Sequence, residues 1–296
     1  MKKIILSILT VAILAALWYL FLKPYDYVAA FTVNTTVGTI NQSIKSWDSS
    51  LQNNEITDKA KEDKIVQELK FGDSLHRYTW NIKEVNDTTS RVRLGIKDVN
   101  NSLTLRLKTP FNDTDFEERS KKTVLAFHEL LTDHLEKFKV SVKGTDTVPS
   151  IYCAYVPIKG LQIQKARGMM ANYNYLGQAM SKFEVELAGP PFVEITSWDK
   201  VTDSISYNFC FPIRRRDDLP QIKDIAYKRV LSTPALHATY NGNYITSDRA
   251  WYALENYAET NDYEVSGYPI EIFHNNPNMG GDELNWNADI YLPIKK

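Results

Sequence analysis

The chain has 296 residues, few cysteines, few histidines and no excess of either charge, and each shortage removes a class of function. Its two cysteines, Cys153 and Cys210, and its five histidines offer no pair at metal-ligand spacing, so no metal centre is expected. Both cysteines fall in predicted strands, where they either pair in an oxidising compartment or remain two buried thiols. A formal net charge of -1 argues against a nucleic-acid partner, which normally meets a concentrated basic surface. The densest basic run, Arg214-Arg215-Arg216, is followed at once by Asp217-Asp218 and reads as a solvated linker. There is no glycine-rich phosphate loop, and no histidine is spaced to a serine or cysteine as in a nucleophilic triad. No cofactor is therefore expected, and a noncatalytic role leads.

What the sequence does have begins with an apolar N-terminus. From Ile4 to Leu22 no residue is charged, and Lys23-Pro24 closes the run. At about 1.5 Å per residue such a helix is just long enough to cross a hydrocarbon core. A cleaved signal peptide would be shorter and end in small residues, whereas this run ends Leu17-Trp18-Tyr19-Leu20-Phe21-Leu22. We read residues 1–24 as a transmembrane anchor. Lys2-Lys3 favour a cytoplasmic N-terminus, with the soluble part outside the cytoplasm, periplasmic in a bacterium.

Residues 25–145 form a predicted first domain. Asp58 to Leu69 reads as a charged helix, and Leu75–Val85, Arg91–Val99 and Ser102–Leu107 as strands separated by Asn-rich turns. Thr114 and Glu117 suit a capping box, after which Val124, Phe127, Leu131, Leu135 and Phe138 recur at helical spacing.

Residues 146–296 say one thing twice. Gly189-Pro190-Pro191 leads into Phe192-Val193-Glu194-Ile195, and a second apolar run stops at Pro212-Ile213. Roughly 80 residues on, Gly267-Tyr268-Pro269 leads into Ile270-Glu271-Ile272-Phe273, and Trp286 to Leu292 stops at Pro293-Ile294. With strand 151–158, helix 163–184, strand Ala226–Tyr240 and a helix through Trp251, Leu254 and Tyr257, each half reads strand, helix, strand, strand. Two such units can pack about a pseudo-two-fold axis and leave a cleft, with Glu194 and Glu271 as repeat partners. Glu271 lies between Ile270 and Ile272 and faces away from both, toward a groove or toward solvent. Met169 and Met170 read as packing residues.

Two resemblances follow from these residues. The element order of the first domain and its Ser46-Trp47-Asp48 region resemble the SRPBCC (helix-grip, polyketide-cyclase-like) superfamily, which implies a curved antiparallel sheet gripping a long C-terminal helix. The run Tyr240-Asn241-Gly242-Asn243-Tyr244, then Trp251, Pro269 to Phe273, Asn276-Pro277 and Ile290 to Ile294 resembles the GyrI-like family. That family includes effector-binding domains of AraC- and MerR-type multidrug-responsive regulators. One departure is Tyr240, where the family often has a histidine.

The expected fold class is thus α+β: a membrane helix, a helix-grip-like domain and two βαββ units. The GyrI-like resemblance implies that Glu271 sits in the groove and contacts cationic or amphipathic ligands, with Tyr244 and Trp251 at other groove positions. Phe273, Tyr207, Trp286 and Glu194 complete the candidate ligand-binding set. A carboxylate framed by rings suits a hydrophobic cation. The leading expectation is a membrane-tethered small-molecule-binding protein without a DNA-binding domain. The alternatives are a hydrolase with Glu271 as general base assisted by Tyr244, and a protein–protein interaction module.

Overall fold

The computed structural model of the protein describes residues 2–295 and shows a mixed α+β chain with two antiparallel sheets. It divides into two compact units, Met1–Thr132 and Asp133–Lys296.

The first unit opens with α1 (Lys2–Leu17), which continues as a π-helical turn, Trp18–Leu22. The run Lys2–Leu22 is long and apolar enough to cross a membrane, and none of it is buried. There follow β1 (Tyr27–Val33), α2 (Val37–Ser50), β2 (Asn54–Lys61), β3 (Lys64–Phe71), β4 (Ser74–Asn86), β5 (Thr89–Asp98), α3 (Ser102–Lys108) and α4 (Asp115–Glu136). The strands form one antiparallel sheet in the order β1-β5-β4-β3-β2. Trp47 of α2 and Phe127 of α4 meet Trp80 of β4, with ring centroids 6.1 and 4.7 Å from the Trp80 ring. The Trp80 indole donates to Gln67 Oε1 (3.2 Å), and the Gln67 amide donates to Asp48 (2.8 Å).

Three expectations for this unit are corrected. Residues 58–69 form no helix but span the β2–β3 hairpin. Their inward row, Ile65, Gln67 and Leu69, carries a polar residue that the core needs as a bridge, so the two-residue alternation is hidden. Residues 102–107 form no strand but make α3, whose one buried residue is Arg106. The α4 cap is as expected, with Thr114 Oγ1 accepting from the Glu117 amide (3.3 Å). Phe138, however, lies beyond the helix and begins the next strand.

The second unit contains β6 (Phe138–Val148), β7 (Ile151–Leu161), α5 (Lys165–Lys182), β8 (Phe192–Asp199), β9 (Ser204–Pro212), β10 (Ala226–Val230), β11 (Thr233–Gly242), α6 (Arg249–Thr260), β12 (Ile270–Phe273) and β13 (Asn287–Pro293). Its sheet runs β10-β7-β9-β8-β12-β13-β11-β6. The units β7-α5-β8-β9 and β11-α6-β12-β13 therefore meet at the β8–β12 pair, each in mirrored order, with β10 and β6 added at the edges. The predicted strand Ala226–Tyr240 is two strands in opposite halves of the sheet: β10 is an edge strand paired with β7, whereas β11 lies between β13 and β6.

The repetition extends to single hydrogen bonds. Each helix ends on a residue with positive φ, Glu184 (53°) and Asp262 (58°). The next amide returns to the helix, Val185 to Met180 and Tyr263 to Ala258, both 2.9 Å. The amides of Ala188 and Ser266 then reach Pro212 O and Pro293 O, again both 2.9 Å. Gly189 and Gly267 let the chain press on those prolines, since an added Cβ would lie 3.6 and 3.2 Å from them. The helices cover one sheet face, where Val193, Ile195, Tyr207, Trp251 and Phe273 share a core. Phe192, Ile270 and Ile272 pack on the other face with Cys153 and Cys210, which are free, buried thiols.

Candidate functional site

On the helical face of the second unit an open cleft of about 320 Å³ draws on both halves. From the first half come Met169, Met170 and Tyr173 of α5, Pro190-Pro191 and Phe209; from the second come Tyr244, Phe273, Trp286 and the turn His274 to Asn278. The aromatic wall is a packed set, with Tyr244 centred 4.7 Å from Phe273 and 5.9 Å from Trp286. Tyr244 is fixed at both ends of its hydroxyl, donating to Asn287 O (2.7 Å) and accepting from the Asn275 amide (3.2 Å). Burial pushes that phenol up to about 12, so it stays protonated as a donor. No aspartate or glutamate lines the cleft.

Glu271 lies behind this wall and is fully buried. Its carboxylate is ion-paired to Lys165, the first residue of α5, accepts from the Trp251 indole (2.6 Å), and lies 3.2 Å from Ser247 Oγ through each oxygen. Lys165 is equally buried, donates to Ser247 Oγ (2.7 Å), and stands 4.8 Å from the Trp251 ring centroid. Lys165 and Ser247 each follow a short 3-10 turn, Gln162–Gln164 and Tyr244–Thr246, so matching places in the two halves meet on this carboxylate. Burial raises the Glu271 pKa, and the Lys165 ammonium opposes that rise. The ring-lined box around the carboxylate thus already holds a cation, and it belongs to the chain. A general base acting on water needs a free oxygen facing solvent. Here both oxygens have hydrogen-bonding partners and neither faces water.

The predicted site residues therefore separate into three places. Tyr244, Phe273 and Trp286 come together on the cleft wall. Glu271, Trp251 and Tyr207 form the layer behind it, with Tyr207 donating to Lys165 O (3.0 Å) and Trp251 wholly buried. Glu194 is on the opposite sheet face, which corrects its reading as the partner of Glu271. Across the β8–β12 pair Glu271 faces Val193, and Glu194 faces Ile270. The helix ends and the two glycines match at a constant spacing of 78 positions, and that spacing aligns Glu271 with Val193. A one-residue slip sends a strand side chain to the other face. Glu194 instead pairs with Lys228 and accepts from Asn208 (2.8 Å).

Lys165 and Ser247 carried no sequence signal as site residues. Met170, read from the sequence as packing, is largely exposed and lines the cleft together with Met169. Among the described residues no group of His, Cys, Asp and Glu could hold a metal.

No family model matches the chain, and no curated protein matches it. Several solved structures are similar. A cryo-EM structure of an EcmrR–DNA complex shares 14% identity at a TM-score of 0.44, covering 65% of this chain and 70% of that one. The EcmrR C-terminal domain shares 15% at 0.41, covering 54% of this chain and 98% of that one. SAV2435 bound to tetraphenylphosphonium shares 13% at 0.37, covering 52% and 94%. These similarities specify no ligand for this chain.

Proposed function

We propose that the second unit is a GyrI-like binding unit that holds an amphipathic small molecule in its cleft without transforming it, and that residues 4–22 tether the chain to a membrane. The observation that carries this reading is the open cleft itself. It offers three packed aromatic rings, two methionines and a fringe of asparagine amides, the mix of apolar wall and few polar groups that ligand pockets use. Methionine adapts its shape to irregular apolar bodies. A cationic ligand would find ring faces rather than a free carboxylate, because Lys165 already neutralises Glu271. Affinity would then follow the size and shape of the apolar body more than its charge. The tether is supported by a helix that is uncharged from Ile4 to Leu22 and unburied, with the soluble units proposed to lie outside the cytoplasm.

The test is titration of the full chain in lipid nanodiscs with tetraphenylphosphonium and with a neutral aromatic compound of similar size, followed by calorimetry. Saturable binding of both, weakened at least about tenfold by Met170→Arg, is the expected result, a loss of about 1.4 kcal/mol. Absence of saturable binding by either compound would remove the proposal.

A further inference from the structure

The first unit carries an apolar surface that neither its own core nor the cleft of the second unit uses. In α3, Ser-Leu-Thr-Leu-Arg-Leu-Lys, Arg106 is buried while Leu103 and Leu107, one turn apart, stay exposed. Leu103 is 46% exposed, Leu107 56%, and Phe111, just past the helix, 82%. In a water-soluble setting three such side chains so close together would be an unexplained cost.

Where Arg106 reaches decides what that surface meets. Its guanidinium pairs with Asp26 (2.7 Å) and donates to three backbone carbonyls, Tyr19 (3.3 Å), Leu20 (2.9 Å) and Lys23 (2.6 Å). Those carbonyls belong to the π-helical turn that ends the apolar helix and to the lysine after it. A helix end leaves carbonyls without intrahelical partners, and a fixed planar cation satisfies several at once. Ser102 donates to the same Asp26 (2.7 Å), so α3 is held against the end of the apolar helix by its first residue and by its middle. At that helix end Trp18, Phe21 and Leu22 are exposed as well.

We propose that α3 and Phe111 lie in the headgroup–acyl boundary of the bilayer, as a second membrane contact beside the spanning helix. The inference rests on the reading of residues 4–22 as an anchor, but not on the ligand proposed for the cleft. Aliphatic and aromatic side chains bury in that boundary while a neighbouring lysine, here Lys108, reaches for the headgroups. The sheet geometry provides an internal control. β1 begins at Tyr27 opposite Ile96, whereas Thr88, in the β4–β5 turn, is eight residues from Ile96, roughly 26 Å away at strand rise.

Nitroxide labels on Leu107→Cys, Phe111→Cys, Val11→Cys and Thr88→Cys, each in the full chain in phosphatidylcholine nanodiscs, test this directly. Both native cysteines are buried. The readout is the ratio of relaxation by oxygen to relaxation by a water-soluble nickel chelate. The labels at 107 and 111 are expected to share with Val11 a ratio severalfold above that at Thr88. Nickel access at 107 and 111 equal to that at Thr88 overturns the proposal, as does shielding from both reagents, which would mean a protein contact. Nickel access at Val11 would instead remove the anchor reading beneath it.

Discussion

The two halves of the second unit share a backbone and differ in chemistry. Both end their helices on a positive-φ residue, press a glycine on a proline and enter the central strand pair in the same register. At the equivalent strand position one half has Val193 and the other Glu271, both fully buried. The single carboxylate is tolerated because the opposite half supplies Lys165 and its own half supplies Ser247 and Trp251. The repeat thus supplies the architecture, and one asymmetric substitution ties its halves together with charge. Glu194 makes the complementary point. It is one residue further along its strand, on the other face, and only partly buried.

The largest expected effect breaks this asymmetry. Lys165→Met leaves a carboxylate in the core without its cation, and a loss of about 3–5 kcal/mol is expected in chemical denaturation. Combining it with Glu271→Leu should restore most of the loss, since a well-packed apolar pair replaces a buried ion pair at little cost. If the double variant is no better than the single one, the two residues do not act as a pair.

The helix starts differ as well, which gives a pH test. Arg249, the first residue of α6, donates to His134 Nε2 (3.3 Å). Burial and this neighbouring cation lower the His134 pKa to about 4. Between that value and its ordinary value the unfolded chain binds the proton and the folded chain does not, so stability falls as pH drops through this window. A loss of about 2 kcal/mol is expected from about pH 7 to about pH 5, and His134→Leu should flatten that part of the profile. An unchanged slope in the variant would place the sensitivity elsewhere.

Next in size is Met170→Arg, with its tenfold weakening of the cleft and unchanged unfolding. The smallest effect contrasts the two glutamates. Glu194→Gln should cost less than about 1 kcal/mol, because its ion pair with Lys228 keeps contact with water. Binding in the cleft should not change, and a large effect on either would undo the assignment of Glu194 to the opposite face.

The βαββ duplication was legible because glycine turns and proline stops punctuate both halves at nearly equal spacing. The direction of Glu271 was legible too, since Ile270 and Ile272 do point together to the other face. Its partner was not. Lys165 sits between a turn and Ala166-Arg167 and reads like any solvated helix start, so only the need of a buried acid for a counter-charge marks it. The shared strand motif points to Glu194 by residue type, while the constant spacing of the glycines assigns Val193. In the first unit, Gln67 and Arg106 misled in the same way. Each is a polar residue turned inward to complete a network, and each breaks the apolar period that identifies its element.

Photoaffinity labelling of the full chain with a diazirine-bearing aromatic amphiphile, followed by peptide mapping, tests the central claim most directly. The account predicts adducts concentrated on Met169, Met170, Tyr244 and Trp286, and suppressed by excess unlabelled compound. Saturable adducts confined to the first unit, or none above background, would contradict it.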